Sequence, residues 1–548
     1  MKKLLDTIAG SQRNSILFLG LLSLFFFAGL GNTHLFDWDE INFAESAREM
    51  IASQNYLRVQ INFQPFWEKP PFFFWLQVGA MKIFGINEFA ARFPNAIFGF
   101  LYLITFYFIG KKHFTAKFGL IWALLFFGTM LPHLYFKSGI IDPVFNYFIF
   151  MSIYFMMRVI AKEDVKMGKL AFYAGLFSGL SVITKGPVGF LLLGLTLLVY
   201  LILKKFKPFP SLKNILLFFG GFGIILAGWL SMEVAQNGID IIIQFIEYQI
   251  ELFNQPVAGH AQPFYYHFVV VFIGCFPISI FALPYFRRKS ERLVFDFRTW
   301  MLILFWVVFL LFSISTTKII HYSSMTYIPL AFLAAYYLYQ IIQKKETWKK
   351  YQTILFVFVG SIWGILLTAL PVIMKNKELL FPYMNDPFAV ESMKTPIHWS
   401  GFEFLVGIFF FTGMILSIVW IKKAQIIKGI VAISFTVAFS LMGVLFLILP
   451  KIEGFTQGPV VEFYESIQGE DAYVESYGYK SYAQYYYFQE PAGLSTKRLE
   501  QDWLLNGDVD KTVYFVSKSN NVELDDHPNF RLIKKVGGFR FYVRVIGE

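Results

Sequence analysis

Asp37, Asp39, Glu40 and Glu45 crowd into the stretch FDWDEINFAESAREM, directly behind a long apolar run. Carboxylates placed like this have three ordinary uses: complementing the start of a helix, holding a metal, or taking a proton from an attacking group. Asp39 can cap a helix running through EINFAESAREMIAS, with Glu40 in its first turn. Asp37-Trp38-Asp39 also fits the short D-x-D pattern that can hold a metal and a nucleotide-linked substrate. A further acid, Asp142 in FKSGIIDPVFNYFIF, stands at the mouth of an apolar segment, where a charge needs a polar partner or a task.

Cations accompany these acids at similar positions: Lys69 in WEKPP, Arg92 in AARFPN, Lys185 in ITKGPVGF, and Lys318 with His321 in STTKIIHYSSMTYIP. Each alone is as readily explained by pairing with one of the protein's own carboxylates. As a set they make a pocket for a phosphate head group. Glu68 and His260 offer a carboxylate and an imidazole, the donors that suit zinc or manganese, although a lone histidine near an interface more often has a structural role. The usual phosphate loops are missing. ITKGP lacks the upstream glycine of a Walker loop, and no G-x-G-x-x-G follows a strand, so neither an ATP-driven engine nor a nucleotide cofactor is expected.

The elements that must position these residues are membrane helices. The 548-residue chain is 56% hydrophobic and 20% aromatic, and its apolar runs repeatedly reach the length needed to cross a bilayer. About thirteen spans are expected, beginning near residues 15, 92, 116, 139, 169, 187, 213, 264, 299, 322, 352, 400 and 426. The first is read as an uncleaved anchor. The net charge of +11 comes from Lys and Arg clusters between apolar runs, as in loops facing the cytoplasm, and not from a nucleic-acid-binding stripe. With a cytoplasmic N-terminus the basic loops alternate correctly, which puts the acidic knot on the non-cytoplasmic side. A first external loop of about residues 36–91 then carries interfacial helices, because FFFWLQVGAMKIFG is apolar but short for a span. Residues 1–450 form the membrane part. Residues 451–548, with YAQYYYF, KTVYFVSKS and GGFRFYVRVIGE, read as a small extracytoplasmic α/β domain. The single cysteine, Cys275, is expected in the core and excludes an intrachain disulfide.

DEINFAESAREM, FWEKPPFFFWLQVGAMKIFG, IIDPVF, ITKGPVGF, GHAQPFYY and TTKIIHYSSMTYIP occur in this order over about the first 330 residues. Together they resemble the lipid A aminoarabinose transferases, within the GT-C group of polytopic membrane glycosyltransferases that includes the protein O-mannosyltransferases. The resemblance implies an all-α membrane fold of GT-C type and an enzyme of the bacterial inner membrane, acting as a monomer with its site at the periplasmic face. Its donor would be a sugar on a polyprenyl phosphate, undecaprenyl phosphate in a bacterium, and its acceptor a lipid, glycan or protein. Asp39 matches the family's catalytic acid, with Glu40 and Asp142 completing the polar site. Lys69, Lys318 and Tyr322 would hold the donor phosphate, with Arg92 and Lys185 nearby. Glu68 and His260 are the positions for a divalent zinc, magnesium or manganese ion. One departure stands out: QIELFNQPVAGH carries Leu252 where the transferase has an arginine. A protein O-glycosyltransferase and a polyprenyl-linked sugar flippase are the alternatives; the flippase lacks support from any paired repeat.

Overall fold

The computed structural model describes residues 2–546 except 67, 163–165, 241, 245, 248–261, 288–295 and 316. Among the described residues, nine helices are long and apolar enough to cross a membrane. The pair Tyr266–Gly274 and Ile278–Phe286 is apolar and long enough only when taken together, as a broken span or a re-entrant loop, bent by 115° where Cys275, Phe276 and Pro277 interrupt the helix. The remaining expected spans, near residues 15, 116 and 187, fall on the shorter apolar helices Gln12–Phe27, Ala116–Phe127 and Val188–Leu203. Hydropathy counts the apolar run, whereas helix length also depends on breakers. Ala116–Phe127 stops at Gly128, where an added Cβ would lie 2.2 Å from Ser434 Cα, and Val188–Leu203 is confined between Gly186-Pro187 and Lys204.

The spans differ in how much of them faces other protein. Leu212–Asn237 is only 17% buried and packs on Met167–Lys185 through glycines: a Cβ at Gly175 would fall 1.9 Å from the Phe218 carbonyl. Such small residues let helices approach in lipid, where hydrophobicity alone does not drive association. Asp142–Ile160 and Ile320–Ile342 are the most enclosed spans, 83% and 78% buried. They are also the two that carry the expected acid and His321-Tyr322.

The first long loop forms the interfacial helices Asp39–Ser53 and Phe72–Phe84, separated by a hairpin of β1 (Gln60–Ile61) and β2 (Gln64–Pro65). At the other end of the sequence, the last span runs unbroken from Ile426 to Phe455. The boundary expected at 450/451 therefore lies inside a helix. A π-helical turn at Val444–Ile448 precedes Pro450, so the proline falls where the regular hydrogen-bond ladder is already interrupted. The C-terminal part is a mixed sheet of order β3-β4-β6-β5, with β3 (Ala472–Tyr477) parallel to β4 (Thr512–Lys518) and β6 (Phe539–Arg544) antiparallel to both β4 and β5 (Arg531–Val536). Arg531, Lys534 and Lys535 charge the exposed edge strand β5 and discourage edge pairing. Phe43, Phe73 and Phe74 of the loop share one core with Val461, Phe463 and Phe541, so the sheet and the interfacial helices form a single cap over the membrane part.

Candidate active site

The clustered acids of the first loop point to four different partners. Asp37 accepts a hydrogen bond from Ser481 Oγ at 2.6 Å, under the C-terminal domain. Glu45 takes both Nε and Nη2 of Arg48, each at 2.7 Å, while Arg48 Nη1 donates to the Glu490 carbonyl. Glu40 meets Arg92 side-on, with Nε to Oε1 at 3.0 Å and Nη2 to Oε2 at 2.9 Å. Asp39 faces His321 at the start of the span Ile320–Ile342. Asp37 and Asp39 thus diverge and do not present a shared D-x-D metal face.

Asp39 is also not the helix cap that the sequence suggests. The capping position is Trp38, which makes no side-chain cap, and Asp39 is the first helical residue, where its charge still complements the dipole. Its carboxylate, 36% exposed, lies 3.6 Å from His321 Nε2. The same ring nitrogen is 3.9 Å from Asp142 Oδ2, and Asp142 Oδ1 accepts from Lys185 Nζ at 2.6 Å. Asp39, His321, Asp142 and Lys185 therefore form a continuous line of alternating charge or potential charge.

Local sequence explains the placement. Asp142-Pro143 starts the Asp142–Ile160 helix, so the acid stands at a helix N-terminus. Lys185 is the last residue of Met167–Lys185, which Gly186 ends with φ 97°. Opposite helix ends thus bring opposite charges together, each favoured by its own dipole. His321 and Tyr322 project from the 3-10 turn Ile320–Thr326, which tightens the entry to its span. Asn146, one turn below Asp142, donates to Ser324 Oγ at 2.8 Å and pins the two enclosed spans in register.

Glu40 and Arg92 do not join this line. Arg92 gives Nη1 to the carbonyls of Leu30 and Thr33 and Nη2 to that of His34, so with Glu40 all five guanidinium donors are satisfied. Glu40 in turn accepts from the backbone N–H of Phe36 and Gly139. Burial by itself raises the Glu40 carboxyl, but Arg92 and these donors outweigh it and hold the group below its usual range. The expectations that Glu40 completes the polar site and that Arg92 holds phosphate are corrected: the pair is a saturated clamp on the chain entering the interfacial helix. Lys185 is likewise engaged by Asp142 and is not a free phosphate ligand.

Two cations remain less committed. Lys69 makes a 3.5 Å contact with Glu68, which is 38% exposed, and both lie within electrostatic reach of the His321-Tyr322 turn. Lys318 donates to the carbonyls of Ser315 at 2.6 Å and Gln262 at 3.0 Å, and among the described residues has no carboxylate partner. Tyr322 stands beside Lys185, whose Nζ is 5.5 Å from its ring centroid. His260 and Leu252 lie outside the described residues. Glu68 is oriented with one oxygen toward Lys69 and is open enough to accept a further ligand.

His321, which the sequence offers as one of the cations, sits between the two acids. Other groups have no signal in the sequence. Arg58 lines a cleft with Lys69, Pro70 and Trp229, and its Nε has no hydrogen-bond partner among the described residues. Tyr482 and Lys480 come from the C-terminal domain: Tyr482 packs edge-on against Trp38, and Lys480 Nζ lies 5.0 Å from the Trp38 ring. Nothing local in YGYKSYAQYYYF indicates that they pack on Trp38, the residue before Asp39.

The whole architecture has a solved counterpart. The crystal structure of ArnT from Cupriavidus metallidurans in the apo state superposes with a TM-score of 0.76 over 97% of this chain and 98% of that one, at 17% identity. The chain has the fold of this ArnT. The same ArnT bound to undecaprenyl phosphate gives a TM-score of 0.73 at 16% identity. In sequence, residues 68–231 match the family described as dolichyl-phosphate-mannose-protein mannosyltransferase. The undecaprenyl phosphate-alpha-4-amino-4-deoxy-L-arabinose arabinosyl transferase of Wigglesworthia glossinidia brevipalpis is 26% identical over 63% of this chain, and the match spans 62% of that relative's length. A similar transferase from Proteus mirabilis is 25% identical, covering 60% of each chain. The chain is thus an integral membrane protein whose fold matches that structure through both the membrane part and the C-terminal sheet.

Proposed function

We propose that the chain transfers a sugar from a polyprenyl phosphate donor, undecaprenyl phosphate in a bacterium, to an envelope lipid, with lipid A or a related glycolipid as acceptor. The observation that carries this reading is the Asp39–His321–Asp142–Lys185 line at the ends of the two most enclosed spans, with Asp39 open and Lys69 and Lys318 available for an anion. A polyprenyl chain stays in the bilayer, so chemistry on its phosphate-linked sugar has to happen where helix ends meet the surface.

In this mechanism the acceptor oxygen bonds to the anomeric carbon while the bond from that carbon to the phosphate oxygen breaks. Asp39 orients the attacking group and, for a hydroxyl, takes its proton. His321 holds the Asp39 carboxylate from the opposite side, and Asp142 with Lys185 fixes His321. Polyprenyl phosphate departs as an anion; Lys69, Lys318 and the Tyr322 hydroxyl stabilise it, so no strong general acid is needed. A divalent ion at Glu68 and His260 would supply further positive charge toward the same phosphate. The reading places the enzyme in the inner membrane with the cap in the periplasm, and the overhanging Lys480 and Tyr482 on the acceptor side.

The match to the protein mannosyltransferase family over residues 68–231 favours a second acceptor class, secreted proteins. Mass spectrometry of envelope lipids, glycans and secreted proteins from intact, deletion and Asp39→Asn strains separates the readings. A sugar-sized mass lost from lipid in both altered strains supports the main proposal, and loss from protein the second. Unchanged glycans with an altered distribution of polyprenyl-linked sugar across the membrane would replace both with a lipid transporter.

A further inference from the structure

A second cluster of ligand-type side chains lies apart from the proposed catalytic line, where the cap meets the membrane part. His34 in the first loop, Glu88 at the start of Glu88–His113 and Glu465 in the helix Gly458–Ser466 place an imidazole nitrogen and two carboxylate oxygens within 4.8 Å of one another. Each comes from a different segment of the fold.

The imidazole is held as a metal-binding histidine is held. Its Nδ1 hydrogen-bonds the carboxylate of Glu453, itself only 5% exposed, and its ring stands edge-on to Tyr487 with centroids 5.3 Å apart. Tyr487 is fixed in turn by accepting the Leu35 N–H at 2.6 Å. A carboxylate on Nδ1 sets the tautomer and directs the Nε2 lone pair outward, and here Nε2 faces Glu465 Oε1 at 3.8 Å. Glu88 by itself has a sufficient explanation as an acid at a helix N-terminus. That explanation does not require a buried glutamate behind the neighbouring imidazole.

Charge points the same way. Three carboxylates surround one imidazole, and among the described residues no lysine or arginine forms an ion pair with Glu88, Glu453 or Glu465; Arg92, the nearby guanidinium, is saturated by Glu40 and three carbonyls. The position favours a cation.

We propose that His34 Nε2, Glu88 and Glu465 bind a divalent transition-metal ion of the zinc class, with Glu453 orienting the histidine. Bonds of about 2.0–2.2 Å bring tetrahedral ligands to about 3.3 Å from one another, so the side chains close by about 1.5 Å at most. Glu465 is 47% exposed and free to swing, and a water completes the shell. Binding displaces any proton on Nε2 and ties the first loop, the second span and the C-terminal domain together. The role is structural, and the site stands independently of the transferase reading.

The test uses full-length protein in detergent, stripped with a chelator and exchanged into metal-free buffer. It is titrated with Co2+ while the visible absorption is followed, and zinc content is measured after gel filtration. Wild type should gain the absorption bands of an imidazole and carboxylate site. Its melting temperature should rise with zinc. His34→Ala and Glu465→Gln should each lose one bound ion, or bind it at least about tenfold more weakly, and lose the zinc-dependent rise. Glu465→Gln keeps the shape of an exposed side chain, so its metal-free protein should melt with the wild type even if His34→Ala does not fold. Unchanged ion stoichiometry together with unchanged affinity in Glu465→Gln, or a wild type that takes up no Co2+, overturns the proposal.

Discussion

Two acids adjacent in sequence, Asp39 and Glu40, lead to regions built on opposite principles. Glu40 enters a closed pair: its oxygens take two guanidinium and two backbone donors, and every donor of Arg92 is used. Asp39 enters an open line, 3.6 Å from His321, with its carboxylate one-third exposed and, among the described residues, no donor at hydrogen-bonding distance. Burial and charge alone do not separate a structural ion pair from a working one; saturation does. A saturated pair has nothing left to offer a substrate, whereas loose contacts of 3.6 and 3.9 Å leave room for an acceptor to intervene.

The comparison breaks first at Asp39. Asp39→Asn should lower transfer by about 10²–10⁴-fold while the protein still elutes and melts as wild type. Turnover of polyprenyl-linked sugar by the purified variant reads the first effect, and a thermal melt the second. Arg92→Met should do the reverse: leaving Glu40 buried without its partner costs about 3–5 kcal/mol, so the protein should melt earlier or fail to accumulate in the membrane. If Arg92→Met instead folds normally and loses only turnover, the clamp assignment is wrong. A smaller effect is expected at His321, where His321→Asn keeps a polar group but loosens the line. Turnover should fall about tenfold, about 1.4 kcal/mol of transition-state stabilisation. The pH profile should also change shape, which a purely structural loss would not produce.

The smallest effect concerns the cap. Burial pushes Glu490 up to about 8, against the pull of Arg498, with Glu475 and Glu45 adding to the rise. Glu490 therefore holds its proton in the folded protein over a range where the unfolded chain, near the ordinary glutamate value of about 4.3, has lost it. Stability conferred by that proton is complete at low pH and declines as pH climbs from the unfolded value through about 8. Melting temperatures measured from pH 5 to 9 should fall by a few degrees across the window, and Glu490→Gln should flatten the slope. An identical slope in the variant would place the titration elsewhere.

Much of this was legible in the sequence because lipid is an unforgiving solvent. Asp142 and Lys185 announced themselves as charges at the ends of apolar runs, and so did the need for something to neutralise them. The sequence could not say that they would neutralise one another, since that depends on Met167–Lys185 packing antiparallel to Asp142–Ile160. Nor could it divide Asp39 from Glu40. Consecutive helical residues point about 100° apart, so one faces inward and the other outward, but which is which depends on Arg92, far along the chain. Helix length was less legible than the apolar runs: hydropathy sees an apolar stretch, and Gly128 or Pro187 decides how much of it is one helix. The cap on Asp37 and Trp38 was illegible because Lys480, Ser481 and Tyr482 reach them only through tertiary folding.

Cys275, fully buried at the bend between Tyr266–Gly274 and Ile278–Phe286, is the only cysteine in the chain. A thiol packed in that way is closed to water-soluble maleimides, so the natural protein is already a silent background for chemical labelling. A cysteine introduced on the exposed edge of β5 and a second on the lip of Phe72–Phe84 would carry a fluorophore pair without any prior engineering. The distance between cap and membrane surface could then be followed on a single molecule while donor and acceptor arrive.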